Sequence, residues 1–313
     1  MIVFPGEGMP WWRTFTAVRG SVLPRIWGRL VFTTAFATGV TYLYAHGDFT
    51  ATLTLAPFSL IGLALGIFLG FRNNTSYQRF WEGRILWGRL VNTSRSITRQ
   101  ILTLINAPSD EARDEVADLQ HELIRRVAVY VHALRHHLRD EQDLSDMTRL
   151  LSSDQLAAFA ASSNPPIAIL QDLGDRLRDA WQRGWIETYH LPVLEASLTG
   201  LTDHQGGCER IKATPIPFSY ALLLHRIVAV YCLTLPFGIV ADLGWITPIV
   251  VLLVDYAFYG LDAIGEALES PFGRDEHDLP LLALSTMIEV NVRERAGETN
   301  LPALVKPIGH VLP

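Results

Sequence analysis

Few residues in this chain are placed to do covalent chemistry. The densest group of ligand types is "VHALRHHLRD", where His132 and His136 stand four apart and His137 follows. At that spacing two imidazoles share one helix face and could hold a metal, although a closed site takes three or four ligands. No carboxylate stands between them in a metalloprotease arrangement, and arginines flank them. There is no nucleophile elbow, phosphate-binding loop or dinucleotide fingerprint. "GLALGIFLG" is rich in glycine but lies in an uncharged stretch. The expectation is a protein that is not an enzyme. A metal-dependent membrane enzyme using His132 and His136 is the reading that metal analysis would test.

A second kind of chemistry comes from charges inside apolar runs, which are costly in lipid and usually have a role. Arg226 sits in "LLLHRIVAV" and Asp255 in "LLVDYAF". Counted from the short loop between their segments, they reach broadly similar depth, so an Arg226–Asp255 ion pair is a candidate. Asp262, Glu266 and Glu269 follow Asp255 at helical spacing. They read either as an acidic face or as a solvated helix end.

These residues need elements to position them. Of the 313 residues 49% are apolar and 19% charged, below the quarter common in soluble domains, and the net charge of −6 suggests no nucleic-acid partner. Four segments approach the roughly 20 apolar residues that span a bilayer: Ile26 to Ala45, Leu53 to Phe71, Phe218 to Val240 and Trp245 to Leu268. "HGDFTAT" joins the first two and "ADLG" the last two, giving two helical hairpins. Neither loop holds Lys or Arg, whereas the N-terminal arm and residues 72 to 212 hold many. By the positive-inside rule both termini and the middle region face the cytoplasm of an inner-membrane protein. The N-terminus lacks the form of a secretory signal. Cys208 and Cys232 lie in unlike surroundings and suggest neither a disulfide nor a metal site.

The chain therefore divides into an arm and first hairpin (1–73), a cytosolic helical region (74–215), a second hairpin (216–270) and a C-terminal segment (271–313). In the middle region Trp81, Ile85, Leu90, Ile97 and Ile101 recur at near-helical spacing. Ser109 reads as the N-cap of the next helix, with acids early and bases late as the helix dipole favours. Helices continue after Pro165-Pro166. No strand alternation is visible, and the fold class is all-α.

Within the second span Gly62, Gly66 and Gly70 recur every four residues, a stripe that lets a neighbouring helix approach closely. Leu63, Ile67 and Phe71 form a parallel apolar stripe beside it. Around a ring of helices such a stripe would make a constriction that gates ions by dewetting. In a simple bundle it would fill a core or meet lipid.

Three stretches carry a resemblance: "SLIGLALGIFLGFRNNTSYQRFWEGRILWG", "GGCERIKATPIPFSYALLLHRIVAVYCLTLPFGIV" and "EALESPFGRDEHDLPL". In this order they resemble the signature segments of the bestrophin family, and the compact length is similar to prokaryotic members. The resemblance implies a homopentamer with a central pore and four membrane helices per subunit. It places Leu63, Ile67 and Phe71 as apolar rings of a neck. Arg72 would then mark the exit from the neck into a wet vestibule. A second, cytosolic aperture would fall at Tyr189, with Ile186 close by, although "GWIETYHLPVL" departs from the family with an extra proline. Eukaryotic relatives bind calcium through an acidic run after Pro-Phe-Gly, which here is "RDEHD". Asp275 and Asp278 fall on the two side-chain positions, but Arg274 and His277 interrupt the run and Ser270 replaces the usual asparagine. Calcium is the one cofactor implied.

The leading expectation is a passive channel for small monovalent ions, with chloride or sodium preference left open. Its partners would be the lipid bilayer, the permeating ions and further copies of itself. The alternative is a non-conducting scaffold that binds partners through its cytosolic helices.

Overall fold

The computed structural model describes residues 2–3, 18, 20–47, 53–141, 145–307 and 311–312. Most of the N-terminal arm, and residues 48–52 of the first interhelical loop, lie outside the described residues. Apart from one short antiparallel pairing, of β1 (Ile2–Val3) with β2 (Val311–Leu312), the described residues form helices and their connections. Two residues per strand are too few to show as alternation in a sequence. The chain divides into two compact units. One comprises Pro5–Phe80 and Pro215–Pro271, the other Met1–Phe4, Trp81–Thr214 and Phe272–Pro313.

The first, apolar unit contains α1 (Leu23–Ala45), the start of α2 (Leu55–Leu104), α7 (Phe218–Leu243) and α8 (Thr247–Glu269). Pro24 and Pro248 sit in the first turns of α1 and α8, where a missing N–H costs nothing. A 3₁₀ turn, Gly244–Ile246, separates α7 from α8, and Gly244 adopts φ +52° there. The core joins Ile26, Leu30 and Ala37 of α1, Phe58, Leu65 and Leu69 of α2, Val228, Cys232 and Leu235 of α7, and Val251 and Tyr259 of α8. Close approach of α2 to α7 depends on Gly238, where a Cβ would sit 2.5 Å from the Phe58 ring. Two helical stretches, Leu55–Leu104 and Phe218–Glu269, are long and apolar enough to cross a membrane. The first expected span is helical within α1 but does not reach the same hydropathy.

α2 does not stop where the apolar run ends. It continues through Arg72 to Leu104, because nothing from Arg72 onward breaks a helix: no proline follows before Pro108, and each glycine is isolated.

The second, polar unit is built around α3 (Arg113–Leu138), which packs against α5 (Pro165–Gln182), α6 (Leu191–Ala213) and α9 (Leu281–Arg295). A short α4 (Ser153–Ala160) rests on α5 and opens with a Ser152–Gln155 capping box. From Leu123 to His136 every residue of α3 except Arg125 is buried. Burial all round makes it the central helix, so its charged residues must find partners inside.

The Ser109 expectation is corrected, and two other stretches are placed. Ser109 is extended and its hydroxyl caps nothing: a 3₁₀ turn, Asp110–Ala112, intervenes before α3 begins at Arg113. Trp81 and Ile85 are exposed, because the covered face of α2 in this unit runs through Gly83, Leu86, Trp87 and Leu90, with Gly83 against Phe272 and Leu279. Pro165-Pro166 starts a helix, with the Asn164 side chain accepting the Ile167 N–H at 3.3 Å.

Candidate functional site

α2 presents two unlike faces in the apolar unit. Phe58, Leu65, Leu69, Arg72 and Ser76 are buried against the chain's own helices. Leu63, Ile67 and Phe71 lie on another face and are 66%, 50% and 62% exposed. The glycine stripe is split between these environments. Gly62 lies under the Tyr231 hydroxyl, which a Cβ would meet at 2.7 Å, whereas Gly66 and Gly70 have nothing within 4 Å of that position. The described chain thus leaves a continuous strip of apolar side chains and small residues uncovered.

Directly after this strip comes the most heavily paired carboxylate of the unit. Arg72, its side chain 1% exposed, donates from Nη1 to Asp262 Oδ1 at 2.6 Å. The other oxygen of Asp262 takes His225 Nδ1 at 2.6 Å, and Arg29 approaches it at 3.7 Å. Glu269 lies 3.9 Å from Arg72 and accepts the Ile216 N–H at 3.1 Å, while its carbonyl accepts from Arg79 Nε at 2.9 Å. Gly265 lies beside this cluster, and a Cβ there would sit 2.4 Å from Asn73 Oδ1, so the Asn73 side chain would have to shift. One carboxylate therefore joins the apolar strip's helix to α7 and α8, with α1 close by. Sequence reasoning missed this arrangement, reading Arg72 as an exit marker and Asp262 as part of a solvated or pore-facing set. Its signal was present: Asp255, Tyr259 and Asp262 fall on the helical face that buries Val251.

The expected Arg226–Asp255 pair does not form. Asp255 is fully buried beside Thr33 and Cys232, and Arg226 is exposed. His225, beside Arg226, is level with Asp262, so Asp255, seven residues earlier on α8, stands roughly 10 Å away along the helix axis.

In the polar unit the histidines of α3 serve as packed ion-pair members. His132 Nε2 meets Glu289 Oε2 at 2.8 Å, and His136 meets Glu141 at 2.8 Å and Asp146 at 3.1 Å. The two imidazoles have separate partners instead of a shared ligand. Burial pushes the His132 ring below its ordinary value, opposed in part by Glu289. Glu289 is fully buried and also receives Arg149 and, at 2.7 Å, Arg293. Although burial acts in the opposite direction, these partners hold its carboxyl down at about 2. Among the described residues no group of three or more His, Cys, Asp or Glu is arranged to hold a metal ion.

Comparison with known proteins decides the family. Residues 1–294 match the family model described as bacterial/fungal bestrophin protein. The chain is 39% identical over 302 residues to a voltage-dependent anion channel-forming protein of Ralstonia nicotianae, covering 96% of each. It is 37% identical over 313 residues to the voltage-dependent anion channel-forming protein YneE of Escherichia coli O157:H7, covering 99% of each. A crystal structure of a bacterial bestrophin homolog from Klebsiella pneumoniae superposes with a TM-score of 0.80 at 34% identity, over 88% of this chain and 99% of that one. The chain belongs to the bestrophin family.

The remaining expected site residues can also be placed. Ile186 is buried and its backbone bridges Ile105, so it is a core residue and not a lining one. Tyr189 is exposed, its ring 4.3 Å from that of His190. The acidic run after Pro-Phe-Gly folds into a tight turn. Asp278 Oδ2 accepts the Asp275 N–H at 2.7 Å, and the Asp278 N–H donates to the Asp275 carbonyl at 3.1 Å. Burial pushes the Asp278 carboxyl above its ordinary value. Arg139 Nε donates to the Phe272 carbonyl at 3.2 Å, and Arg274 pairs with Glu141 at 2.6 Å. Calcium takes six to eight oxygens and favours ionised ones. A turn whose buried carboxylate already accepts an amide, flanked by two guanidiniums, fits a calcium clasp poorly.

Proposed function

We propose that this bestrophin-family chain forms an ion channel, assembling as a pentamer in which α2 lines the pore and Leu63, Ile67 and Phe71 form its neck. The observation that carries the reading is the uncovered apolar strip on α2, next to Gly66 and Gly70 with open space before them. A strip of this kind calls for a partner surface or a lumen. In a ring, Gly66 and Gly70 let the next copy approach, and the neighbouring large side chains face the axis. An apolar neck carries no charge that selects ion sign, so selectivity falls to charges beyond it. Asp255 and Asp262 are buried among the chain's own helices and do not supply an acidic lining. That supports anion passage, the activity carried in the names of the Ralstonia and Escherichia coli relatives.

In this reading α1, the first part of α2, α7 and α8 cross the inner membrane, with both termini and the polar unit in the cytoplasm. Tyr189 is the side chain proposed for a second, cytosolic aperture. The test is current through purified protein in a planar bilayer under an asymmetric NaCl gradient. A reversal potential near the chloride equilibrium value is expected, and one near sodium's would overturn the anion assignment. The combined variant Leu63→Ala, Ile67→Ala, Phe71→Ala should conduct with its gating lost. Unchanged currents would remove the neck from α2. Silence from both proteins as intact oligomers would favour the scaffold reading.

A further inference from the structure

A cavity of about 450 Å³ opens between α1, α7 and α8, away from the Leu63–Phe71 strip. One part of its lining is charged, with Arg29 of α1, Arg226 of α7 and Glu266 near the end of α8. The other part is apolar, with Phe32, Ala229 and Leu233. The charged residues share one end of the helix set. Arg29 is the seventh residue of α1, Arg226 the ninth of α7, and Glu266 lies in the last turn of α8. At 1.5 Å per residue the two arginines stand roughly 10–12 Å in from their helix starts. With these helices crossing a membrane, that is the depth where headgroups meet acyl chains.

Charge at this depth needs a counter-charge. Arg29 has only a distant one, Asp262 at 3.7 Å, which Arg72 and His225 already share. Its guanidinium lies 5.8 Å from the Tyr259 ring centroid and the side chain is 52% exposed. Arg226 and Glu266 have neither an ion pair nor a hydrogen bond among the described residues, and both are exposed. His225, also in the lining, is oriented through Nδ1 by Asp262 and keeps Nε2 uncommitted.

We propose that this cavity binds one phospholipid with an amine-bearing headgroup, of the phosphatidylethanolamine type. Arg29 and Arg226 hold the phosphate, Glu266 takes the ammonium, and an acyl chain lies along Phe32, Ala229 and Leu233. Guanidiniums match phosphate oxygens in paired, charge-assisted hydrogen bonds, and basic pockets between membrane helices on the cytoplasmic side are known lipid sites. Glu266 decides the headgroup. It repels a second negative charge and attracts a primary ammonium, so the lining matches a zwitterion better than an anion. The proposal rests on the membrane reading of α1, α7 and α8 but not on the identity of the conducted ion.

The experiment is native mass spectrometry of the full chain, delipidated in detergent and titrated with phosphatidylethanolamine, phosphatidylglycerol or phosphatidylcholine. One phosphatidylethanolamine per chain is expected, with affinity roughly tenfold above phosphatidylglycerol from one charged hydrogen bond. Arg226→Ala should lower retention of every phospholipid about tenfold, and Arg226→Lys should restore part of it. Glu266→Gln should erase the preference for the amine headgroup alone. Soluble glycerophosphoethanolamine should compete poorly, because it lacks the acyl chain. Retention unchanged in Arg226→Ala would overturn the site. So would loss of the oligomer in that variant with no lipid effect, which would show the face to be covered by a second copy. Bilayer currents from the same preparations separate this failure from failure of the channel reading.

Discussion

Asp262 and Glu289 are both buried carboxylates with three basic partners, yet they are built differently. Glu289 is one node of a mesh. Arg293 beside it also bonds Glu298 at 2.7 Å and the Asn300 carbonyl at 2.8 Å, Arg149 is 40% exposed, and Arg125 continues the chain from Glu298 at 2.8 Å toward solvent. Each cation has somewhere else to turn. Asp262 is a single post. Arg72, its side chain almost wholly enclosed, has no other carboxylate nearer than Glu269 at 3.9 Å, and its Nε has no acceptor among the described residues. The cost of losing a buried charge is set by the alternatives left to its partner more than by the number of bonds it makes.

Removing the single post should have the largest effect. Asp262→Ala strands Arg72 in an apolar surround and is expected to cost about 3–5 kcal/mol in thermal or denaturant unfolding. The apolar pair Arg72→Met with Asp262→Leu should recover most of that loss. Glu289→Gln should cost less, about 1–3 kcal/mol, since Arg293 and Arg149 keep other acceptors or water. Equal losses from the two variants would break the comparison.

Acid should act on the mesh in two steps. The folded state holds His132 below its ordinary value of 6.5, so as pH falls through 6.5 the unfolded chain binds a proton that the fold resists. Glu289 is held near 2 against 4.5 unfolded, so its contribution is complete above pH 4.5 and fades as pH falls toward 2. Both signs make the polar unit less stable in acid. Protection factors of α3 and α9 amides, corrected for intrinsic exchange rates, should fall below pH 6.5 and again below 4.5. Protection factors unchanged between pH 7 and pH 5 would contradict the His132 assignment.

The smallest effects on the chain itself separate the covered and uncovered faces of α2. Gly238→Ala, facing Phe58, is expected to cost about 1–3 kcal/mol by overpacking. Gly66→Ala meets nothing in the described chain, and its stability should shift by no more than about 1 kcal/mol, toward the helix. If Gly66→Ala nevertheless dissociates the oligomer, as chemical crosslinking would show, the open face is where copies meet.

Much of the outline was legible because it rests on local, periodic properties. The apolar runs and the Leu63–Ile67–Phe71 stripe follow from helix geometry, whereas the expected loop of residues 241–244 is mostly helix, with α7 reaching Leu243 before the turn at Gly244. Other expectations failed for reasons of direction. Arg226 and Asp255 stand at different levels, because α7 and α8 run in opposite directions and His225 meets Asp262 instead. Ile186, expected beside an aperture, turned into the core. His132 and His136 shared a helix face but met carboxylates from outside their own helix.

The sequence by itself determined that this protein is helical, which runs are apolar, and that α2 carries large and small residues in adjacent stripes, because one chain's periodicity is enough to specify those. Only the tertiary structure decided that Arg72 ends on Asp262, that Asp255 is left without Arg226, and that Glu289 gathers the cations around α3. Those contacts join residues up to 190 positions apart, and the rotation and relative level of one helix against another, which no single helix encodes, select among partners of equal charge.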